Sequence, residues 1–415
     1  MRDPESLAEE FFCSETMKNE LKQCLKYVHI TGIDVDAICR KLMSSGVLPC
    51  RDKKAGKEAL KSFREALAES DYSCGDTPGK RANTLDTGLL YIEEGIRNHP
   101  QTARIISRFP DAEIRWIHSY KDVYYHPDSK GNSNGNNNTN TNLILAEKTG
   151  TAVLPGAPVC QDFDERYFYY TSSATGCLFD CEYCYLKGMY LSRDLLVYVN
   201  LEDTFREVEE LLREHEVYLC LSYDTDLAVI EDITGYVGRW SAFVQAHPGL
   251  LAECRTKCAR TDLWERLTPC DRMIFAFTIS PDEVIDRFEH RTPSLEARLV
   301  CAKTAMERGF PVRLCFDPML RIPGWREAYM RMLEQVAGEL DLTRVRDVSV
   351  GTFRISQDYL KRLRQAEPMS AAVQFPFINE GGVYGYTALQ RREMTELVTG
   401  ELRRRVPQIR IDCME

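Results

Sequence analysis

Hydrophobic positions change their spacing along the chain. In the first 84 residues they recur at helical intervals, as in Glu20 to Tyr27 and Lys57 to Leu67, so this part is expected to be a helical N-terminal extension. From Leu89 the pattern shortens to runs typical of strands, LLYIEE, EIRWIHS and then LILAEKTG, which predict a small α/β region over residues 85–165. An interruption, Ser129 to Asn142, reads SKGNSNGNNNTNTN. Such a tract cannot bury enough apolar surface to offset the entropy of ordering it, so it is expected to form a surface loop.

Beyond residue 166 strand and helix patterns alternate. RYFYYTSS, VYLCLSY, LLAECRTK, MIFAFTIS, PVRLCF and VRDVSVGTF read as strands. Between them, Asn200 can cap a helix whose Leu201, Phe205, Val208 and Leu212 share a face, and SLEARLVCAKTAMERG and GWREAYMRMLEQVAGEL read as further helices. Repeated βα units imply a parallel sheet with helices outside, in which ligands gather at the carboxyl ends of the strands.

Composition narrows the class. At 415 residues and 44% hydrophobic content the chain can bury a substantial core. No segment approaches the roughly 20 apolar residues of a membrane span, and MRDPESLAEEFF lacks the features of a signal peptide, which predicts a cytoplasmic protein. There the 16 cysteines are expected to be reduced, so that clustered ones are candidate metal ligands. A net charge of −10 disfavours nonspecific coating of nucleic acid but leaves room for a local basic groove.

The cluster stands in ATGCLFDCEYCYLKG, Ala174 to Gly188, directly after an apolar strand. Cys177, Cys181 and Cys184 supply three thiolates, whereas a structural zinc or electron-transfer site is normally closed by four ligands. A C-x3-C-x2-C loop can hold three corners of a 4Fe-4S cube and leave the fourth iron open. The plainer alternatives are three unrelated buried cysteines, or a zinc site completed from a distance.

With Tyr183 before the third cysteine, the motif resembles that of the radical S-adenosylmethionine (SAM) enzymes. That resemblance implies that the open iron binds SAM and that an electron from the cluster cleaves it to a 5′-deoxyadenosyl radical. The longer stretch ATGCLFDCEYCYL is similar to the cluster loop of the spore photoproduct lyase family, and the similarity extends to LLYIEEGIRNHP, FTISPDEVIDRFEHRTPSLEAR, GFPVRLCFDPMLRIPGWREAY and GGVYGY. It covers roughly residues 85–415. It implies a partial (β/α)6-type barrel with a C-terminal hairpin over 166–415, and repair of a thymine dimer in ultraviolet-damaged DNA with an electron donor such as flavodoxin or ferredoxin.

Carried over one by one, the resemblance implies that Cys177, Cys181 and Cys184 bind the cluster and that Tyr183 and Tyr185 form a hydrogen-atom relay. Lys257, Thr225, Thr278 and Ser280 fall at cofactor-binding positions, and Tyr384 at the wedge beside a flipped lesion. Two positions depart from the family pattern. In SYDTD, Tyr223 stands where the family has a hydrogen-donating cysteine, and Val383 stands where it has arginine. Cys220, three residues earlier on a strand, is expected to face away from Tyr223. The alternatives are an enzyme of the same family with another substrate, and a cluster protein that only binds nucleic acid or senses redox state.

Overall fold

The computed structural model describes residues 14–50, 52–72, 87–125, 141–156 and 160–414, together with positions 7, 11 and 85. The Asn-rich tract lies outside the described residues except for its last two positions. Helices Glu15–Thr31, Val35–Ser44 and Lys53–Glu69 occupy the N-terminal part. Each buries one apolar stripe, for example Met17, Leu21, Cys24 and Val28 of the first, which is the expected reading of helical spacing. They dock on the C-terminal half: Gln23 donates to the Gln374 carbonyl at 2.7 Å, and Tyr27 packs edge-on to Phe375.

Among the described residues sixteen strands form three sheets. β1 (Leu89–Glu93), β2 (Glu113–Ile117), β3 (Leu143–Ala146), β6 (Ala174–Thr175) and β7 (Leu195–Tyr198) make a five-stranded sheet in the order β2-β1-β3-β7-β6. Strand pairing thus crosses residue 165, because β3 lies beside β7 in parallel. The strand β7, a buried LLVY run, was not assigned from the sequence.

The second sheet runs β16-β12-β11-β10-β9-β8-β5-β4. Its six central strands are β5 (Phe168–Thr171), β8 (Val217–Cys220), β9 (Leu250–Thr256), β10 (Met273–Thr278), β11 (Val312–Met319) and β12 (Asp347–Thr352). All are parallel and five of the connections carry helices, so the expected partial (β/α)6 barrel is present. β16 (Ile411–Met414) adds a parallel edge and β4 (Val153–Pro155) an antiparallel one. A small antiparallel sheet, β13 (Arg354–Ser356), β15 (Val383–Gly385) and β14 (Ile378–Glu380), forms the hairpin region.

The inside of the barrel is ionic. Buried Arg313 donates to both Asp347 oxygens, to Glu253 and to the Tyr218 hydroxyl. Burying four ionisable groups is tolerable because each nitrogen of the cation has a hydrogen-bond partner. Asn200 does not cap its helix as expected. Its side chain instead holds the loop after β3, accepting from the Lys148 amide at 2.7 Å and donating to the Lys148 carbonyl at 3.0 Å. Among the described residues no disulfide joins two cysteines, and no helix is long and apolar enough to cross a membrane.

Candidate active site

The cysteine loop leaves β6 through Gly176, whose φ of +99° is open to glycine and strained for other residues. A Cβ there would lie 2.8 Å from the Asp194 carbonyl oxygen, so the tight approach also requires glycine. Leu178 and Phe179 anchor the loop in the core. The loop then runs along the segment after β10. Cys181 forms a β-bridge with Glu289, the Glu182 amide donates to the Phe288 carbonyl at 2.9 Å, and the Arg291 amide donates to the Phe179 carbonyl at 3.2 Å. Next comes the short helix Leu186–Met189, where Lys187 Nζ lies 2.7 Å from Asp180 and 2.7 Å from Glu367.

These backbone bonds hold the three cysteines on one short loop. Burial pushes the Cys177 thiol well up, with the neighbouring Cys184, Asp226 and Cys181 adding to the effect. Burial likewise raises Cys181 to about 12, against the pull of Lys257, and raises Cys184. Thiols so protonated become ligands only when a metal displaces their protons. Among the described residues no three His, Cys, Asp or Glu side chains converge as they would around one ion. Three thiols without a fourth fit a cluster with one open iron better than a closed zinc site.

Lys257, at the end of β9, joins this loop to a buried polar network. Its Nζ lies 3.4 Å from Cys181 Sγ, 2.8 Å from the Tyr183 hydroxyl and 3.3 Å from Glu289. Tyr183 donates to Glu289, which is also bound by Arg298, by Thr292 at 2.9 Å and by Ser280 at 3.3 Å. Burial alone would raise the Glu289 carboxyl, but the Arg298 guanidinium and the Lys257 ammonium hold it well below the usual carboxylate range. Asp226 fixes the lysine from behind, accepting from the Lys257 amide at 2.8 Å and from the Thr256 hydroxyl at 2.8 Å.

Lys257, Ser280 and Tyr183 are therefore in one network. Thr278 reaches it through its carbonyl, which accepts from Arg298 at 3.1 Å. β10 ends at Thr278, so Ser280 lies beyond the strand instead of sharing its face in regular alternation. Thr225 Oγ1, Asp224 Oδ1 and Ser173 Oγ are buried without a hydrogen-bond partner among the described residues. Such groups suit the polar edge of a small-molecule ligand, since an unmet buried hydrogen bond is costly.

Tyr185 and Tyr223 also meet. The Tyr185 hydroxyl donates to the Tyr223 carbonyl, and the two rings are edge-on at 6.2 Å. Tyr223 stacks on Tyr170 with ring centres 4.0 Å apart. β8 ends at Cys220, which is within electrostatic range of Cys160 and Tyr185. Tyr384 is half-buried in β15, opposite Ile355 and Asn379 and within electrostatic range of Arg364, apart from the cysteines. Its hairpin is linked to the cysteine loop by the helix Gln357–Ala366, whose Tyr359 carbonyl meets Gly188 so closely that a Cβ would lie 2.3 Å away.

Sequence reasoning missed Glu289, Arg298 and Asp226. Arg298 had a readable signal, because it falls between Leu295, Leu299 and Ala302 on the buried stripe of its helix. Glu289 and Asp226 carried none, since single carboxylates after a helix or strand are ordinary.

The model of the family described as spore photoproduct lyase matches residues 88–370. The spore photoproduct lyase of Geobacillus sp. (strain Y412MC61) is 27% identical over 188 residues, 44% of this chain and 54% of that protein. The Bacillus subtilis (strain 168) spore photoproduct lyase is 25% identical over 259 residues, 61% of this chain and 73% of that protein. With the Geobacillus relative, therefore, the alignment spans about half of the relative's length. A solved spore photoproduct lyase complexed with dinucleoside spore photoproduct superposes with a TM-score of 0.66 at 20% identity, covering 80% of this chain and 99% of that one. At that identity the structural likeness speaks for the fold. The family match covers well over half of the sequence and includes the cysteine loop, Lys257 and Glu289. The chain belongs to the spore photoproduct lyase family.

Proposed function

We propose that this chain is a cytoplasmic radical SAM lyase that reverses the spore photoproduct, a thymine dimer of ultraviolet-damaged DNA. The observation that carries the reading is the contact of Lys257 with both Cys181 and Tyr183, beside buried polar atoms that await a partner. Cys177, Cys181 and Cys184 would hold a 4Fe-4S cluster, with Lys257, Thr225, Thr278 and Ser280 assigned to SAM. When both are bound, and an external one-electron donor such as flavodoxin or ferredoxin reduces the cluster, they supply a carbon radical able to abstract hydrogen from the dimer. The protein's own part is placement. The Glu289–Arg298 pair fixes Tyr183 and Lys257, and the core residues Leu178 and Phe179 keep water from the loop. Relatives that carry the lyase name, one of them solved with the dinucleoside photoproduct, support the substrate.

A second reading, a member of the family with another substrate, is favoured by Tyr223 at the donor position and Val383 in the hairpin. Anaerobic cluster reconstitution followed by dithionite and SAM tests both, with and without DNA carrying the photoproduct. 5′-Deoxyadenosine and thymine together support the first reading. SAM cleavage without dimer reversal supports the second, and a fully loaded cluster that cleaves no SAM overturns both.

A further inference from the structure

The three N-terminal helices lie before residue 88, where the family match begins, yet they pack on the part of the chain that carries Tyr384. The hairpin strands β13, β14 and β15 have three residues each, so their position depends on what packs against them. Their roots are aromatic. Phe353 precedes β13, Phe377 precedes β14 and Tyr386 follows β15, and all three are buried. Phe377 stacks on Phe353 at 4.9 Å and meets Tyr386 at 5.2 Å, while Phe375 lies 5.0 Å from Phe377 and 5.0 Å from Tyr386. The fifth ring comes from the first N-terminal helix: buried Tyr27 stands edge-on to Phe375 with ring centres 5.4 Å apart.

Two further contacts make the extension a brace. Glu69, at the end of the helix Lys53–Glu69, pairs with buried Arg321, which also holds Glu393 at 3.1 Å and whose amide donates to the Tyr386 hydroxyl at 2.8 Å. Tyr72 meets Tyr27 edge-on at 6.0 Å and covers Arg287, 4.8 Å from Cζ to the ring centre. Arg287 adjoins Phe288, whose carbonyl accepts from the Glu182 amide of the cysteine loop. Tyr27 thus stands between the roots of the hairpin and the segment that carries the cysteine loop.

We infer that the N-terminal helices set the hairpin's position over the lesion, with Tyr27 as the positioning residue acting through Phe375, an inference that rests on the lyase reading and on Tyr384 as the wedge. A dimer within a duplex must leave the base stack before it reaches the cysteine loop, and the depth of the wedge decides how easily it does so. A dinucleoside photoproduct has no stack to leave. The brace therefore acts on duplex DNA and is silent for the dinucleoside.

Tyr27→Leu keeps apolar bulk at this site and loses the ring edge. In the loaded enzyme, KM for photoproduct in duplex DNA should rise about fivefold, the equivalent of about 1 kcal/mol, while kcat and the KM for dinucleoside photoproduct stay unchanged. Tyr27→Phe should keep wild-type values, and Phe375→Leu, made from the other side of the contact, should give the same split as Tyr27→Leu. In cluster-free protein, the fluorescence of 2-aminopurine placed beside the lesion should rise on binding to the wild type and rise less with Tyr27→Leu. An unchanged duplex KM in both leucine variants, an equal rise for duplex and dinucleoside, or equal 2-aminopurine signals overturns the proposal and leaves the lyase reading standing. No thymine from either substrate with the wild type overturns both.

Discussion

The Lys257 ammonium donates to the Tyr183 hydroxyl at 2.8 Å and lies 4.7 Å from the centre of the same ring. One cation thus holds the aromatic residue that precedes Cys184 by both its edge and its face. Glu289 keeps Arg298, Thr292, Ser280 and Tyr183 when the lysine is removed, so Lys257→Met should fold and load iron normally. The variant is expected to bind SAM at least about tenfold more weakly, a loss of about 1.4 kcal/mol. Iron analysis and equilibrium dialysis of the loaded protein check this; unchanged affinity would remove Lys257 from the cofactor site.

Glu289 gives a pH-dependent prediction. Its folded carboxyl titrates below the unfolded value, so the unfolded chain takes up its proton first as pH falls. The stability it contributes is therefore complete above about pH 5 and lost progressively below about pH 4. At neutral pH, Glu289→Gln leaves the fully buried Arg298 without its counter-charge, at a cost of about 3 kcal/mol. Urea unfolding of cluster-free wild type and variant should show a gap that narrows as pH falls from 6 to about 3. A gap independent of pH would count against a charged Glu289.

Gly176→Ala tests the backbone of the cysteine loop. The new methyl would meet the Asp194 carbonyl at a φ of +99°, with a strain of about 2 kcal/mol. The melting temperature and the iron bound per chain should both drop. Unchanged iron would mean that the loop does not need this turn to gather its thiols.

Cys181→Ala removes the thiol nearest Lys257 and should abolish the visible absorbance of the reconstituted cluster together with SAM cleavage. Cys220→Ala, at the same barrel mouth but outside the loop, should keep both. Retention of the cluster absorbance by Cys181→Ala would refute the ligand assignment.

How much of this was legible depended on distance along the chain. Three cysteines within one loop advertise a cluster because the ligands are local. The six barrel strands were readable from their apolar runs, whereas β7 went unseen because four buried residues beside a loop carry no period. Lys257 was singled out through resemblance alone; its role becomes physical only when Cys181, Tyr183 and Glu289 surround it. The stacking of Tyr223 on Tyr170 had no sequence signal, since it exists only because the end of β5 and the turn after β8 meet in the fold.

Tyr223 is the last test, and it separates ring from hydroxyl. Its ring stacks on Tyr170 at 4.0 Å and meets Tyr185 at 6.2 Å. Tyr223→Phe keeps the stacking and removes the O–H, so stability should stay within about 0.5 kcal/mol while thymine yield per SAM cleaved falls. Tyr223→Cys gives up the stack but puts a thiol at the barrel mouth, and under anaerobic reducing conditions it should restore or raise the thymine yield. Product analysis by chromatography with photoproduct-bearing DNA decides between them. Equal by-product yields in wild type and both variants would place hydrogen donation elsewhere, whereas opposite changes in the two would tie it to the group at this position.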